Sequence, residues 1–326
     1  MPSPSLPSRS SARPPGLAVF AAAGCAWVFV LVSLGAFTTS IGAGMAFPDW
    51  PLSNGSLNPH GWLNNLSMFA EHSHRLSAGV MSTITIILAV WIWLKESRGW
   101  LRRLAWFAAG LVLLQAVVGG LRVLLEPDEV RPIATSVGEL FAMLHACLAQ
   151  LFVCTLLAIA TACSDGWIQR PIPVSAALRR TGVLCCALLF IQLGIAAVMR
   201  HSNAGLAIPF FPWSGPGHRL LPEVWGFKVA IHFAHRAMAA ALTVALIWFA
   251  VKIWRDPGAP LGMRCGASLL VSLLALQILL GAAIIATYRD PAITTGHVLV
   301  GALTLATTFW LTWRAHRDVL EAEPSS

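Results

Sequence analysis

Charged residues are scarce in this sequence: Asp, Glu, Lys and Arg make up 11% of its 326 residues, and a single tyrosine stands beside 14 tryptophans. A soluble globular domain of this length needs far more polar surface, so that class is excluded. Cysteine is absent from every connection on one side of the chain's apolar runs. Cys25, Cys147, Cys154, Cys163, Cys185, Cys186 and Cys265 all lie inside those runs or at their basic ends, which excludes a disulfide framework. Cys185 and Cys186 point to different sides of one helix and do not suggest a metal site. Acidic residues are few too, 14 against 22 basic ones, for a net charge of +8. A basic face beside anionic membrane lipid accounts for that surplus, and no nucleic acid is needed.

What the chain does have is apolar length: 57% of residues are hydrophobic. A hydrocarbon core is crossed by roughly 20 helical residues, and such stretches run at about 17–37, 67–94, 103–123, 138–162, 178–200, 226–251, 262–286 and 293–313. The expectation is an all-α polytopic membrane protein with eight transmembrane helices. Residues 1–16, rich in Pro and Ser, read as a disordered cytoplasmic tail and not as a cleaved signal. Arg and Lys in the tails and in the second, fourth and sixth connections account for 14 of the 22 basic residues. Both termini are therefore expected on the cytoplasmic or mitochondrial matrix side, in a bacterial inner or mitochondrial inner membrane.

The chain repeats itself. AGMAFPDWP at 43–51 matches AGLAIPFFP at 204–212, and at the same spacing Glu71 meets His232, His74 meets His235 and Arg75 meets Arg236. Gln115 to Gly120 matches Gln277 to Ala282, and His145 meets His297 if the last connection is shorter in the second half. Four spans per half give both copies the same sense in the membrane, which is a parallel repeat. The expected organisation is a four-helix bundle over 17–162, a cytoplasmic linker over 163–177, a second four-helix bundle over 178–315 and a cytoplasmic tail over 316–326.

Histidine inside a span is costly and normally faces a partner. One could be a hydrogen-bonded core residue; four at equivalent positions, His74, His145, His235 and His297, suggest one imidazole from each of two facing helices in each bundle. That is a standard way to hold haem iron at both axial positions, whereas few soft or carboxylate ligands are at hand to complete a shell for zinc. Arg75 and Arg236 follow two of these histidines and read either as partners of a haem propionate or as side chains reaching to the headgroups. His72, about 200° around the helix from His74, reads as interfacial, while His232 shares a face with His235. Glu71 stands on the His74 face and has no carboxylate counterpart in the second half. It reads as a proton-exchanging or charge-stabilising group beside a haem edge, or as a carboxylate favoured by a helix N-terminus. Gly119, Gly120, Gly281, Gln115 and Gln277 read as helix packing. Pro48, Pro51, Pro209, Pro212, Trp50 and Trp213 shape connections that could cover the pockets.

Taken together, EHSHR on the second span, LHACLAQ on the fourth, HFAHR on the sixth, TGHVLVG on the eighth and the paired proline connections resemble the haem A synthases of bacteria and mitochondria over about residues 17–315. That resemblance implies an enzyme oxidising the C8 methyl of haem O to a formyl group by successive hydroxylations, supplying haem A to terminal oxidases. It places substrate haem O between His74 and His145 and a haem b cofactor between His235 and His297, with Glu71 as the functional carboxylate and Arg75 and Arg236 as haem-binding arginines. Candidate partners are haem O synthase, cytochrome oxidase assembly factors, membrane lipid and further copies of the chain in a homo-oligomer. Some family members carry a cysteine pair in the first outer connection. None lies between Phe37 and Leu66 here, and Phe210 replaces Asp49 in the second copy. The alternative from another class is a bis-histidine cytochrome b confined to electron transfer. A transporter would need polar or broken helices near the midplane, which these spans lack.

Overall fold

The computed structural model describes residues 15–126, 129–130 and 135–322. Residues 1–14, most of the expected tail, lie outside the described residues, as do Arg131 and 323–326.

Ten helices follow one another among the described residues: α1 (Pro15–Ser40), α2 (Leu66–Lys95), α3 (Gly99–Leu124), α4 (Val137–Ala162), α5 (Asp165–Ile168), α6 (Ala176–His201), α7 (Phe227–Arg255), α8 (Leu261–Ala286), α9 (Pro291–Ala315) and α10 (Arg317–Ala322). All but α5 and α10 are long and apolar enough to cross a membrane, and their number and positions match the expected spans. Among the described residues the only paired strands are two antiparallel two-residue ones, Glu129–Val130 and Thr135–Ser136, between α3 and α4.

Side-chain caps fix where several spans begin. Asn65 accepts from Ser67 N and Met68 N ahead of α2, Ser136 and Glu139 form a capping box on α4, and Asp290 accepts from Ala292 N and Ile293 N before Pro291 opens α9. Each supplies an acceptor to backbone N–H groups that have no helical partner. Within the spans, Thr85, Thr304, Thr308 and Thr312 donate to the carbonyl four residues back. Their hydroxyls are thereby satisfied without water.

Helix α1 packs on α2, α2 on α3, α3 on α4, and α4 back on α1; α6 to α9 close in the same order. The two rings meet where α4 contacts α6 and α9, and α1 contacts α9. Each has its own apolar core. Met81, Leu88, Ile92, Leu101, Leu156 and Ile159 are fully buried in the first, as are Leu246, Phe249, Ile253, Met263, Leu270 and Leu311 in the second. These residues fill the half of each ring nearer the chain termini. Close packing there leaves the opposite half, where the histidines lie, free of a dense apolar core.

Residues 163–177 and 316–322 contain α5 and α10 and are held by tertiary contacts. Arg98 pairs with Glu96 and Glu321 and donates to Ala162 O, Trp167 Nε1 donates to Glu321, and Arg317 Nε donates to Trp167 O. Helix α10 is thus tied to the first ring across the terminal end.

Candidate functional site

His74 on α2 and His145 on α4 face each other across the first ring, their imidazole centroids 6.5 Å apart and their planes at 81°. Glycine on the neighbouring helix makes room for each. A Cβ at Gly35 would stand 2.8 Å from His74 Cε1, and one at Gly119 would stand 3.1 Å from His145 Cε1. Gln115 Nε2 donates to His145 O. The Nδ1 atoms of His74 and His145 are buried with no hydrogen-bond partner among the described residues. An unpartnered buried imidazole nitrogen costs about 1–3 kcal/mol, so such a pair calls for a ligand.

In the second ring, Gln192 Nε2 lies 3.0 Å from His235 Nδ1 and also donates to His235 O. Gln277 Nε2 lies 3.2 Å from His297 Nε2, Gly281 faces the same imidazole at 3.3 Å, and His297 Nδ1 has no partner among the described residues. The expected packing roles of Gly119, Gly281, Gln115 and Gln277 become more specific: these residues seat the histidines. Gly120 instead receives the ring of Trp50. Gln192 escaped notice in the sequence because its match in the first half is Leu31.

Do these pairs fit haem? Imidazole nitrogens bind a metal at about 2 Å, which brings two opposed ring centroids to about 6 Å. The observed 6.5 Å leaves room for one iron between His74 and His145. Among the described residues, no group of three or more His, Cys, Asp or Glu side chains gathers as a metal shell.

Glu71 lies one turn from His74 and is 4% exposed. Its Oε2 accepts from Ala46 N at 2.6 Å and Phe47 N at 3.2 Å, and its Oε1 meets Arg75 Nη2 at 2.5 Å. Arg75 in turn donates to Asp49 O, Leu52 O and Phe47 O. Both groups therefore hold the 41–65 connection down over the ring. The second half repeats the arrangement with a different anchor: Ile208 N lies 3.2 Å from His232 Nδ1, Arg236 Nε 3.2 Å from His232 Nε2, and Arg236 donates to Trp213 O and Ile208 O. A carboxylate can accept from all its neighbours here; a neutral imidazole can accept from only one of two.

His72 departs from its expected interfacial position. It is buried, with Nδ1 3.0 Å from Ser53 Oγ and its ring against Trp62, because the 41–65 connection folds back over the start of α2. Asp49 also acts locally, accepting from Asn54 N and Gly55 N at 2.7 Å each. Burial works against its ionisation, but those N–H groups and Arg75 hold the carboxyl below the usual carboxylate range. All seven cysteines are free thiols.

A family model described as a cytochrome oxidase assembly protein (COX15-CtaA) matches residues 18–309. Similar proteins include the haem A synthase of Bacillus licheniformis, 26% identical over 276 residues that cover 83% of this chain and 86% of that one. The haem A synthase of Listeria monocytogenes is 24% identical over 294 residues, 89% and 92% of the two chains. That of Shouchella clausii is 26% identical over 268 residues, 80% and 84%.

Proposed function

This chain belongs to the cytochrome oxidase assembly protein family, and from that membership we propose that it is an integral membrane haem A synthase oxidising the C8 methyl of haem O to a formyl group by successive hydroxylations. The observation that carries the reading is the His74–His145 pair, whose 6.5 Å separation and seating against Gly35 and Gly119 suit one haem iron.

In this proposal His74 and His145 hold substrate haem O, and His235 and His297 hold haem b, which supplies one-electron chemistry when bound. The two rings act as a parallel repeat, one for substrate and one for cofactor. Glu71 is the catalytic carboxylate, placed to exchange protons beside the substrate. Arg75 and Arg236 keep the connections closed over the two pockets by clamping backbone carbonyls, a task for which the planar guanidinium fork is suited. Closure keeps water from a reacting methyl group. Both termini face the cytoplasm or matrix. Haem O synthase would deliver the substrate and oxidase assembly factors would take the product, with membrane lipid around the chain and a homo-oligomer as its assembled form.

One observation favours the electron-transfer alternative. Glu71 is engaged by Ala46, Phe47 and Arg75 much as His232 is engaged by Ile208 and Arg236, which is what an anchor of the connection needs. The Glu71→Ala variant in a haem O-producing host tests the catalytic role: retained haem with no haem A, where the parent chain makes it, fits catalysis, and unchanged haem A output rules that role out; a parent chain that binds haem b and makes no haem A fits electron transfer.

A further inference from the structure

A cavity of about 360 Å³ opens at the histidine end where the two rings meet, and it is lined by cations from both. Arg122 comes from the last turn of α3, Arg200 and His201 from the end of α6, and Arg289 from the link between α8 and α9. Glu139 is the one carboxylate among the lining residues, and Ser40 and Asn203 add neutral polar groups. None of the three arginines has a role in the haem-holding arrangement above.

Part of the cluster is explained by helix ends. Arg200 Nη2 donates to Ala36 O and Ser40 Oγ at the end of α1, and Arg122 Nη1 donates to Gly44 O. Cations favour the carbonyl end of a helix, which accounts for Arg200; Gly44 lies beyond α1, in the 41–65 connection. That account does not extend to Arg289 or His201, whose side chains make no hydrogen bond among the described residues. Arg289 follows Tyr288, and both adopt left-handed backbone with φ of 70° and 51°. Three guanidinium groups around one small space repel one another. Among the described lining residues Glu139 is the one carboxylate that offsets that repulsion, beside the backbone carbonyls that Arg122 and Arg200 meet.

We infer that this cavity is an oxyanion-binding site that takes a carboxylate or phosphate group and joins the two halves through it. Guanidinium groups match the planar and tetrahedral oxygens of such anions. The chemistry has two sources: the propionate of a bound haem, since Arg122 lies one turn along α3 from Gly119, which faces His145, and Arg200 shares Ser40 Oγ with Thr295, two residues before His297, or a phosphate, free or on a phospholipid. The first source rests on the haem reading; the second does not.

The test titrates inorganic phosphate, against chloride at equal ionic strength, into detergent-solubilised protein, haem-loaded and haem-depleted, and follows thermal unfolding by tryptophan fluorescence. Arg289→Gln is the matched variant, chosen because Arg289 holds no backbone carbonyl. Phosphate-specific stabilisation of both forms, with apparent affinity about tenfold weaker in Arg289→Gln, supports the site with phosphate as its ligand. Stabilisation of the haem-depleted form alone, with faster haem loss from Arg289→Gln to a haem scavenger, supports it with propionate as the ligand. Equal responses to phosphate and chloride in both forms overturn it. The haem-depleted arm proceeds whether or not the protein holds haem, so its outcome is separate from that of the haem reading.

Discussion

At the scale of single residues, the second half of the chain supplies its own control for Glu71. The counterpart His232 sits under the corresponding connection, so Glu71→His should retain much of the anchoring while removing the carboxylate. Folded, haem-bearing protein without haem A is expected, measured by pigment extraction and fluorescence melting. Haem A from this variant would assign Glu71 to anchoring alone. The glycines facing the imidazoles give a graded series. A methyl group would meet His74 at 2.8 Å, His145 at 3.1 Å and His297 at 3.3 Å, so loss of bound haem should follow Gly35→Ala > Gly119→Ala > Gly281→Ala. A flat series would show that these contacts do not seat the histidines. The four histidines, Glu71 and both arginines are legible as candidates in the sequence, because Glu71, His74 and Arg75 meet His232, His235 and Arg236 at one spacing and His145 meets His297 at a shorter one. Their partners were less so: Arg75 meets the carbonyl of Asp49, 26 positions away, and a backbone acceptor leaves no mark on residue type. Arg122 and Arg200 read only as charge on one side of the membrane, since what distinguishes them is convergence across the two rings.

At the scale of elements, the eight spans were readable to within a few residues because hydrocarbon thickness sets their length. The short helices α5 and α10 were not, being held by tertiary contacts such as Trp167 with Glu321 and not by an apolar run. The prolines of the 41–65 connection marked it as a cover for the pocket, but its fold-back on the start of α2 and the burial of His72 were hidden. That connection gives two predictions. Arg75→Lys keeps the charge, but a compact ammonium cannot reach Phe47 O, Asp49 O, Leu52 O and Glu71 together. Limited proteolysis within 41–65 should accelerate several-fold, with the spans intact; an unchanged rate would remove Arg75 as the clamp. Asp49 adds a pH dependence. Because its carboxyl is held below the ordinary range, it steadies the turn above about pH 4, and that contribution is lost as pH falls through its lowered value. Amide exchange at Asn54 and Gly55, corrected for intrinsic rates, should speed up in that acidic window and not above it.

At the scale of the whole molecule, two rings of four helices place dense apolar cores near the chain termini and paired histidines at the other end. The number of spans could be read from the sequence; how the rings meet, through α1, α4, α6 and α9, could not, because a helix face against another helix and one against lipid are both apolar. Reporter fusions after Ser326 should be active only in the cytoplasm if the basic connections set the orientation. The most direct test of the account is to express the chain in a cell that makes haem O but lacks its own haem A synthesis, and to extract the pigments bound to the purified protein and to the membranes. The account predicts haem A there, together with haem b on the protein, and loss of haem A in His74→Ala or His145→Ala. Haem b alone, with haem O unconverted, would contradict it.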